Sequence, residues 1–197
     1  MRLHITQKQA IKHPTEYESH PMRYYRSAVV PGSTYFFTLN LQDRSSNLFI
    51  QKIDALRFAF KKVQQNHPFN IDAIVIMPDH CHMLMTLPED DVDYSQRLSL
   101  IKAAFSRQIE PHETVSKSRQ KKRERGIWQR RYWEHAIRNP IDYEHHVNYI
   151  HYNPVKHGYV KNPIDWQYSS IHRFIRQGML DGQWACVDDF NQARFGE

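Results

Sequence analysis

Residues 71–88, IDAIVIMPDHCHMLMTLP, constrain the fold more than any other stretch. The run 71–77 is nearly continuous and rich in β-branched side chains, the pattern of a central strand covered on both faces. Pro78-Asp79 then forces a turn. A second strand follows at once, with Cys81, Met83, Met85 and Leu87 pointing one way and His80, His82, Leu84 and Thr86 the other.

The other elements arrange themselves around this pair. Residues 34–41, TYFFTLNL, alternate, placing Tyr35, Phe37, Leu39 and Leu41 on one face and Thr34, Thr38 and Asn40 on the other, so they form a strand. Ile53, Leu56, Phe60 and Val63 predict a helix over 48–66 that stops before His67-Pro68. Asp93 is the N-cap of a helix over 94–109, with Tyr94, Leu98, Ile101 and Phe105 as its stripe. Residues 128–137, WQRRYWEHAI, read as a strand. Asn139-Pro140 opens a further helix by cap and first-turn proline, and Pro154 is expected to end it near Asn153. The tail from 163 reads as a loop and a short helix. The order β-α-β-β-α-β is the split βαβ, ferredoxin-like α+β arrangement: an antiparallel sheet with helices on one face, plus an additional C-terminal helix.

Composition narrows the class. Forty per cent apolar residues suffice for a core, which excludes wholesale disorder. Two cysteines, Cys81 and Cys186, are too few for a disulfide scaffold or a Cys-rich zinc module. The N-terminus has no apolar signal region and no stretch reaches the ~18 residues of a membrane span, so a soluble cytoplasmic protein without membrane contact is expected. The net charge is +6, yet residues 117–131, KSRQKKRERGIWQRR, carry eight basic residues against Glu124 alone, a local +7 that leaves the remainder at about −1. A polyanion contacted through one region fits this pattern, with Lys117, Arg119, Lys121, Lys122, Arg123, Arg125, Arg130 and Arg131 as candidate DNA contacts. Aromatic residues at 13% add rings on which unpaired bases can stack.

Chemistry gathers at two places. His80 and His82, at i and i+2, share one strand face, and two neighbouring imidazoles suit a divalent metal. On the helix from 140, Tyr143, Val147 and Ile150 lie together as a core stripe. Asp142, His146, Tyr149 and Asn153 occupy a flank that need not be core, with Tyr149 and Asn153 one turn apart.

MPDHCHMLMTLP resembles the His-hydrophobe-His motif of the Y1 single-strand DNA transposases of the IS200 type. IWQRRYWEHAIRNPIDYEHHVNYIHYNPVKHGYV resembles the signature of the branch called REP-associated tyrosine transposases, within the HUH superfamily. RYYRSAVVPGSTYFFTLNLQDR and DWQYSS share the family's look, so the resemblance spans roughly residues 23–175. It implies a ferredoxin-like fold and a catalytic domain over 23–162; residues 1–22, whose first twenty are polar and without a clear period, read as an N-terminal arm beyond the family pattern, and 163–197 as a C-terminal tail. It further implies cleavage and rejoining of single-stranded DNA through a 5′-phosphotyrosine intermediate, at hairpin, REP-like sequences, and favours a monomer. By the same resemblance Tyr149 is the nucleophile, His80, His82 and Asn153 are metal ligands, and the ion is Mg²⁺ or Mn²⁺. The residues alone leave the proton acceptor open between His146 and water. They leave two other functions open as well: a zinc-dependent hydrolase, or a non-catalytic single-stranded nucleic-acid-binding protein.

Overall fold

The computed structural model describes residues 30–111, 115–182 and 184; the expected arm at 1–22 and Cys186 lie outside them. The elements run β1 (Thr34–Asn40), α1 (Leu48–Gln51), α2 (Ile53–Asn66), β2 (Asn70–Ile76), β3 (His80–Thr86), α3 (Tyr94–Ser106), α4 (Lys117–Lys121), β4 (Trp133–Ala136), α5 (Pro140–Lys156), a 3₁₀ turn (Pro163–Asp165) and α6 (Ile171–Arg176). Four strands form one antiparallel sheet in the order β2-β3-β1-β4, as a ferredoxin-like chain requires.

The alternation in the strands decides which layer each side chain enters. Tyr35, Phe37, Leu39, Cys81, Met83 and Met85 face α2 and α3, where they meet Leu56, Phe60, Leu98, Ile101 and Phe105. Each such fully buried side chain contributes roughly 1.5–3 kcal/mol by leaving water. Phe36, Ala73, Val75 and Leu84 take the opposite face, which α5 covers with Val147, Tyr149 and Ile150. Both faces of the sheet are therefore closed, as the unbroken apolar run of β2 demands. Cys81 is wholly buried, and burial first of all pushes its thiol up to about 12, so it packs as a small apolar residue.

Both expected helix starts form as read. Asp93 accepts a hydrogen bond from the Gln96 backbone N–H at 2.8 Å, and Asn139 Oδ1 accepts one from the Asp142 N–H at 2.9 Å. Besides α3, read to 109 but ending at Ser106, three boundaries differ from expectation. The helix read over 48–66 breaks at Lys52 (φ −118°, ψ 36°) into α1 and α2. The strand read over 128–137 keeps a ladder only at Trp133–Ala136, although Trp128 bridges to Leu41 and Gln129 N–H donates to Asn40 at 3.0 Å. The third is α5, which continues through Pro154 to Lys156 instead of ending near Asn153. Pro154 removes one backbone donor, but Asn153 and Pro154 are both buried, and that packing outweighs the local bias against a helix before proline. The helix closes one turn later at Gly158 (φ +71°), where Tyr159 N–H donates to Pro154 O and Gly158 N–H to Val155 O, a Schellman closure.

The outer edge of β2 is not left open. Ile76 N–H donates to Tyr168 O at 2.9 Å, Ser170 N–H to Ile74 O at 2.8 Å, and Trp166 Nε1–H to Ile76 O at 2.9 Å. No helix among the described residues is long and apolar enough to cross a membrane.

Candidate active site

β3 carries His80 and His82 on the face that α5 covers, with rings 5.0 Å apart and side chains 2% and 0% exposed. Each ring is held through Nδ1. His80 Nδ1 is 2.9 Å from Asp79 Oδ1, and the other oxygen of that carboxylate accepts from Arg44 Nε at 2.7 Å. His82 Nδ1 is hydrogen-bonded to Thr38 Oγ1 at 2.9 Å, because Thr38 and His82 are directly paired across β1 and β3. In both histidines Nε2 is the nitrogen opposite the anchored Nδ1, and the buried His80 Nε2 has no hydrogen-bond partner. An imidazole fixed at Nδ1 by oxygen and open at Nε2 is the usual arrangement of a metal-binding histidine. The donor set fits a divalent ion. Burial opposes the charge on Asp79, yet the hydrogen bond and charge of His80 and the charge of Arg44 win, and its pKa falls below the ordinary carboxylate value.

α5 brings the second half of the site. The Tyr149 ring lies 5.1 Å from the His82 ring and 5.9 Å from Phe36, both edge-on. Two turns further on, His157 lies 5.1 Å from His80. Asn153 lies on α5 between these two positions, one turn after Tyr149, and is wholly buried. The flank read as not needing to be core is in fact packed on the sheet: Tyr149 is only 5% exposed and His146 3%. A wheel drawn on one stripe underestimates the buried arc of a helix that crosses a sheet.

Tyr149 has a neighbour that the expected helix end concealed. Lys156 Nζ is 3.4 Å from the Tyr149 hydroxyl and 4.9 Å from its ring centre. His146 has other contacts: its Nδ1 is 2.7 Å from Asp142 O, and its ring stacks on His135 at 4.8 Å and tilts against Phe36. Tyr152 is half-buried and lies outside the face formed by Tyr149 and Asn153. Asp79, Arg44, Thr38 and Lys156 were not singled out in the sequence. Thr38 carried a signal in its position on the polar face of β1.

The basic stretch divides into two groups. Arg119 donates to Trp128 O and Gln42 Oε1, Arg125 to the carbonyls of Ser106, Ile109 and Glu110, and Arg130 to Glu124 at 2.7 Å and Ser118. Arg125 braces the segment against the end of α3 and Arg119 against the loop after β1, while Arg130 ties the segment to itself. Lys117, Lys121, Lys122 and Arg123 are exposed, as is Arg131. Several of these residues line a cavity of about 690 Å³ together with Trp128 and Lys102, and burial lowers the pKa of the Lys102 ammonium to about 8.

Residues 30–153 match the family model described as "Transposase IS200 like". The chain is 47% identical over 165 residues to a Haemophilus influenzae relative assigned to the REP-associated tyrosine transposases, covering 83% of this chain and 93% of that one. It is 44% identical over 171 residues to the REP-associated tyrosine transposase of Escherichia coli, covering 86% and 96%. A solved structure of a REP-associated tyrosine transposase bound to a REP hairpin superposes with a TM-score of 0.74 at 41% identity, covering 89% of this chain and 96% of that one.

Proposed function

The chain belongs to the IS200-like Y1 transposases, in their REP-associated tyrosine branch, and from that premise we propose that it cuts and rejoins single-stranded DNA beside a hairpin through a covalent bond to Tyr149. The observation that carries this reading is the edge-on contact of Tyr149 with His82 at 5.1 Å, which sets a phenol beside two oriented imidazoles.

His80 Nε2, His82 Nε2 and the Asn153 side-chain oxygen would hold Mg²⁺ or Mn²⁺, His80 and Asn153 from buried positions on facing elements. A divalent ion bound there supplies Lewis acidity to a non-bridging oxygen of the scissile phosphate. The chain's residues do the rest. Asp79, anchored by Arg44, and Thr38 keep the two imidazoles in one tautomer and one orientation. The Tyr149 phenol releases its proton to solvent as its oxygen attacks phosphorus, the bond to the 3′ oxygen breaks, and that oxygen takes up a proton from solvent, so the departing strand leaves with a 3′ hydroxyl. Lys156 Nζ, 3.4 Å from that phenol, offsets the negative charge on the attacking oxygen and again when the ester reopens. The phosphotyrosyl ester conserves the bond energy, so rejoining requires no nucleotide cofactor. Lys117, Lys121, Lys122, Arg123 and Arg131 would meet backbone phosphates, with Arg119, Arg125 and Arg130 holding the segment in shape.

The test is covalent capture. A labelled oligonucleotide with a hairpin and a single-stranded flank should form a denaturation-resistant adduct with Mn²⁺ and none in excess EDTA. Undiminished cleavage in EDTA, or cleavage with no adduct, contradicts the proposal.

A further inference from the structure

Beyond Pro154 the chain sets out a row of aromatic rings that starts at the His80–His82 pair and leads away from it. The His80 ring is 5.1 Å from that of His157, His157 is 6.4 Å from Tyr159, Tyr159 is 5.4 Å from Trp166, and Trp166 is 5.6 Å from Tyr168. His157 and Tyr159 are exposed, Tyr159 at 48%, while Trp166 and Tyr168 are partly buried. Single exposed rings are ordinary on a protein surface, but a contiguous row of them marks a contact surface.

The backbone holds the row in place. Gly158, at φ +71°, turns the chain out of α5, and Tyr159 N–H donates to Pro154 O at 2.9 Å, which fixes Tyr159 just past the helix end. Trp166 Nε1–H donates to Ile76 O, and Tyr168 O accepts from Ile76 N–H, both at 2.9 Å, so these two rings sit on the segment that closes the edge of β2. Rings fixed before a ligand arrives lose little freedom on binding it. Charge along the row is sparse, since residues 156–170 carry Lys156 and Lys161 against Asp165. At the far end Tyr168 lines a cleft of about 330 Å³ with Arg57 and Lys61, exposed cations suited to a phosphate, although Arg57 also meets Asp54 at 3.3 Å.

We infer that His157, Tyr159 and Trp166 form a stacking track for the single-stranded flank of a DNA substrate; this rests on the single-strand reaction proposed above and adds the path of the strand. The row begins against His80, one of the residues that would hold the ion at the scissile phosphate, so the strand to be cut and the track share one end. Every base has a π-face, so rings bind an unpaired strand without reading its sequence, whereas bases inside a duplex stack on one another. The ring-to-ring steps of 5.1–6.4 Å exceed the ~3.4 Å rise of a stacked strand, so bases bound along the row are held apart from one another. With few charges of its own, the track grips bases and leaves most phosphate contacts to residues 117–131.

Binding measured in EDTA tests this apart from cleavage. A hairpin with a short oligothymidylate flank, placed in turn on its 5′ and its 3′ side, is compared with the same hairpin without a flank. The wild type should bind one flanked form more tightly. Tyr159→Ala should weaken that form by about 5–150-fold, the range for one stacked base, while the unflanked hairpin, Tm and the slope of log K against log salt stay unchanged. Tyr159→Phe keeps the ring and should keep the affinity. A flank carrying 5-iodouracil should photocrosslink to the peptides that hold His157, Tyr159 or Trp166. Equal affinity of Tyr159→Ala and wild type for the flanked hairpin, a loss shared by the unflanked one, or crosslinks confined to residues 117–131 overturns the inference. A wild type that passes these tests in EDTA yet forms no adduct with Mn²⁺ supports the track and contradicts the proposed cleavage.

Discussion

Asp79→Asn separates the orientation of His80 from the stability of the fold. In the native protein the carboxylate bridges Arg44 Nε at 2.7 Å and His80 Nδ1 at 2.9 Å, and its side chain is 9% exposed. Asparagine keeps the volume and one acceptor but loses the charge, and its amide can present a donor where His80 needs an acceptor. Replacing a partner of this kind typically costs 10–100-fold in metal affinity, about 1.4–2.7 kcal/mol. The stability cost is smaller, because the Arg44 side chain is 46% exposed and returns to water, so the lost ion pair is worth about 1 kcal/mol or less. The variant should therefore melt within a few degrees of wild type while Mn²⁺ affinity, read from free Mn²⁺ by electron paramagnetic resonance, falls at least about tenfold. Equal Mn²⁺ affinity in the two proteins would refute the role of Asp79, and with it the assignment of His80 Nε2 as a ligand atom.

Thr38→Val removes the oxygen that holds His82 Nδ1 and should lower Mn²⁺ affinity by a similar factor, checked in the same assay. Lys156→Met should slow adduct formation on the order of tenfold, less than the about 10²–10³ of an enclosed donor because Lys156 is exposed, with DNA affinity nearly unchanged; single-turnover kinetics decides. Neutralising Lys117, Lys121, Lys122 and Arg123 together should weaken binding across DNA sequences without changing Tm, and should reduce the slope of log K against log salt by about 0.7–0.9 for each phosphate that no longer meets a cation. Arg125→Ala should act in the opposite sense, lowering stability by roughly 1.5–3 kcal/mol in urea titrations because three backbone carbonyls lose their charged donor.

The sheet was legible because period-two alternation is a local signal. Residues 35, 37, 39 and 81, 83, 85 enter one layer and 36 and 84 the other, as alternation requires. The two histidines of β3 were legible for the same reason. Where α5 ends was not. Pro154 is a strong local stop, and only tertiary burial of Asn153 and Pro154 carries the helix onward to Lys156. That one boundary hid Lys156 and His157, since neither can reach the site unless the helix continues. The supports of the histidines were harder still. Thr38 meets His82 through strand register, and Arg44 reaches Asp79 from the loop after β1, pairings that no period in the sequence reports. Charge counting located the basic segment but could not divide it, because Arg119, Arg125 and Arg130 are distinguished from Lys121 and Lys122 only by the carbonyls and the carboxylate they meet in the folded chain.

The proposed reaction stands on the phenol of Tyr149 becoming covalently bound to DNA. Five tyrosines lie at 132, 143, 149, 152 and 159, and of these Tyr149 is the one that stands one turn before Asn153, with its ring against His82. Peptide mapping of the trapped adduct, with Tyr149→Phe as the control, measures this directly. A 5′-phosphotyrosine is expected on the peptide containing Tyr149, and the Phe variant should bind the hairpin substrate normally and form no adduct. A label on Tyr152, or an adduct that persists in the Phe variant, would contradict it.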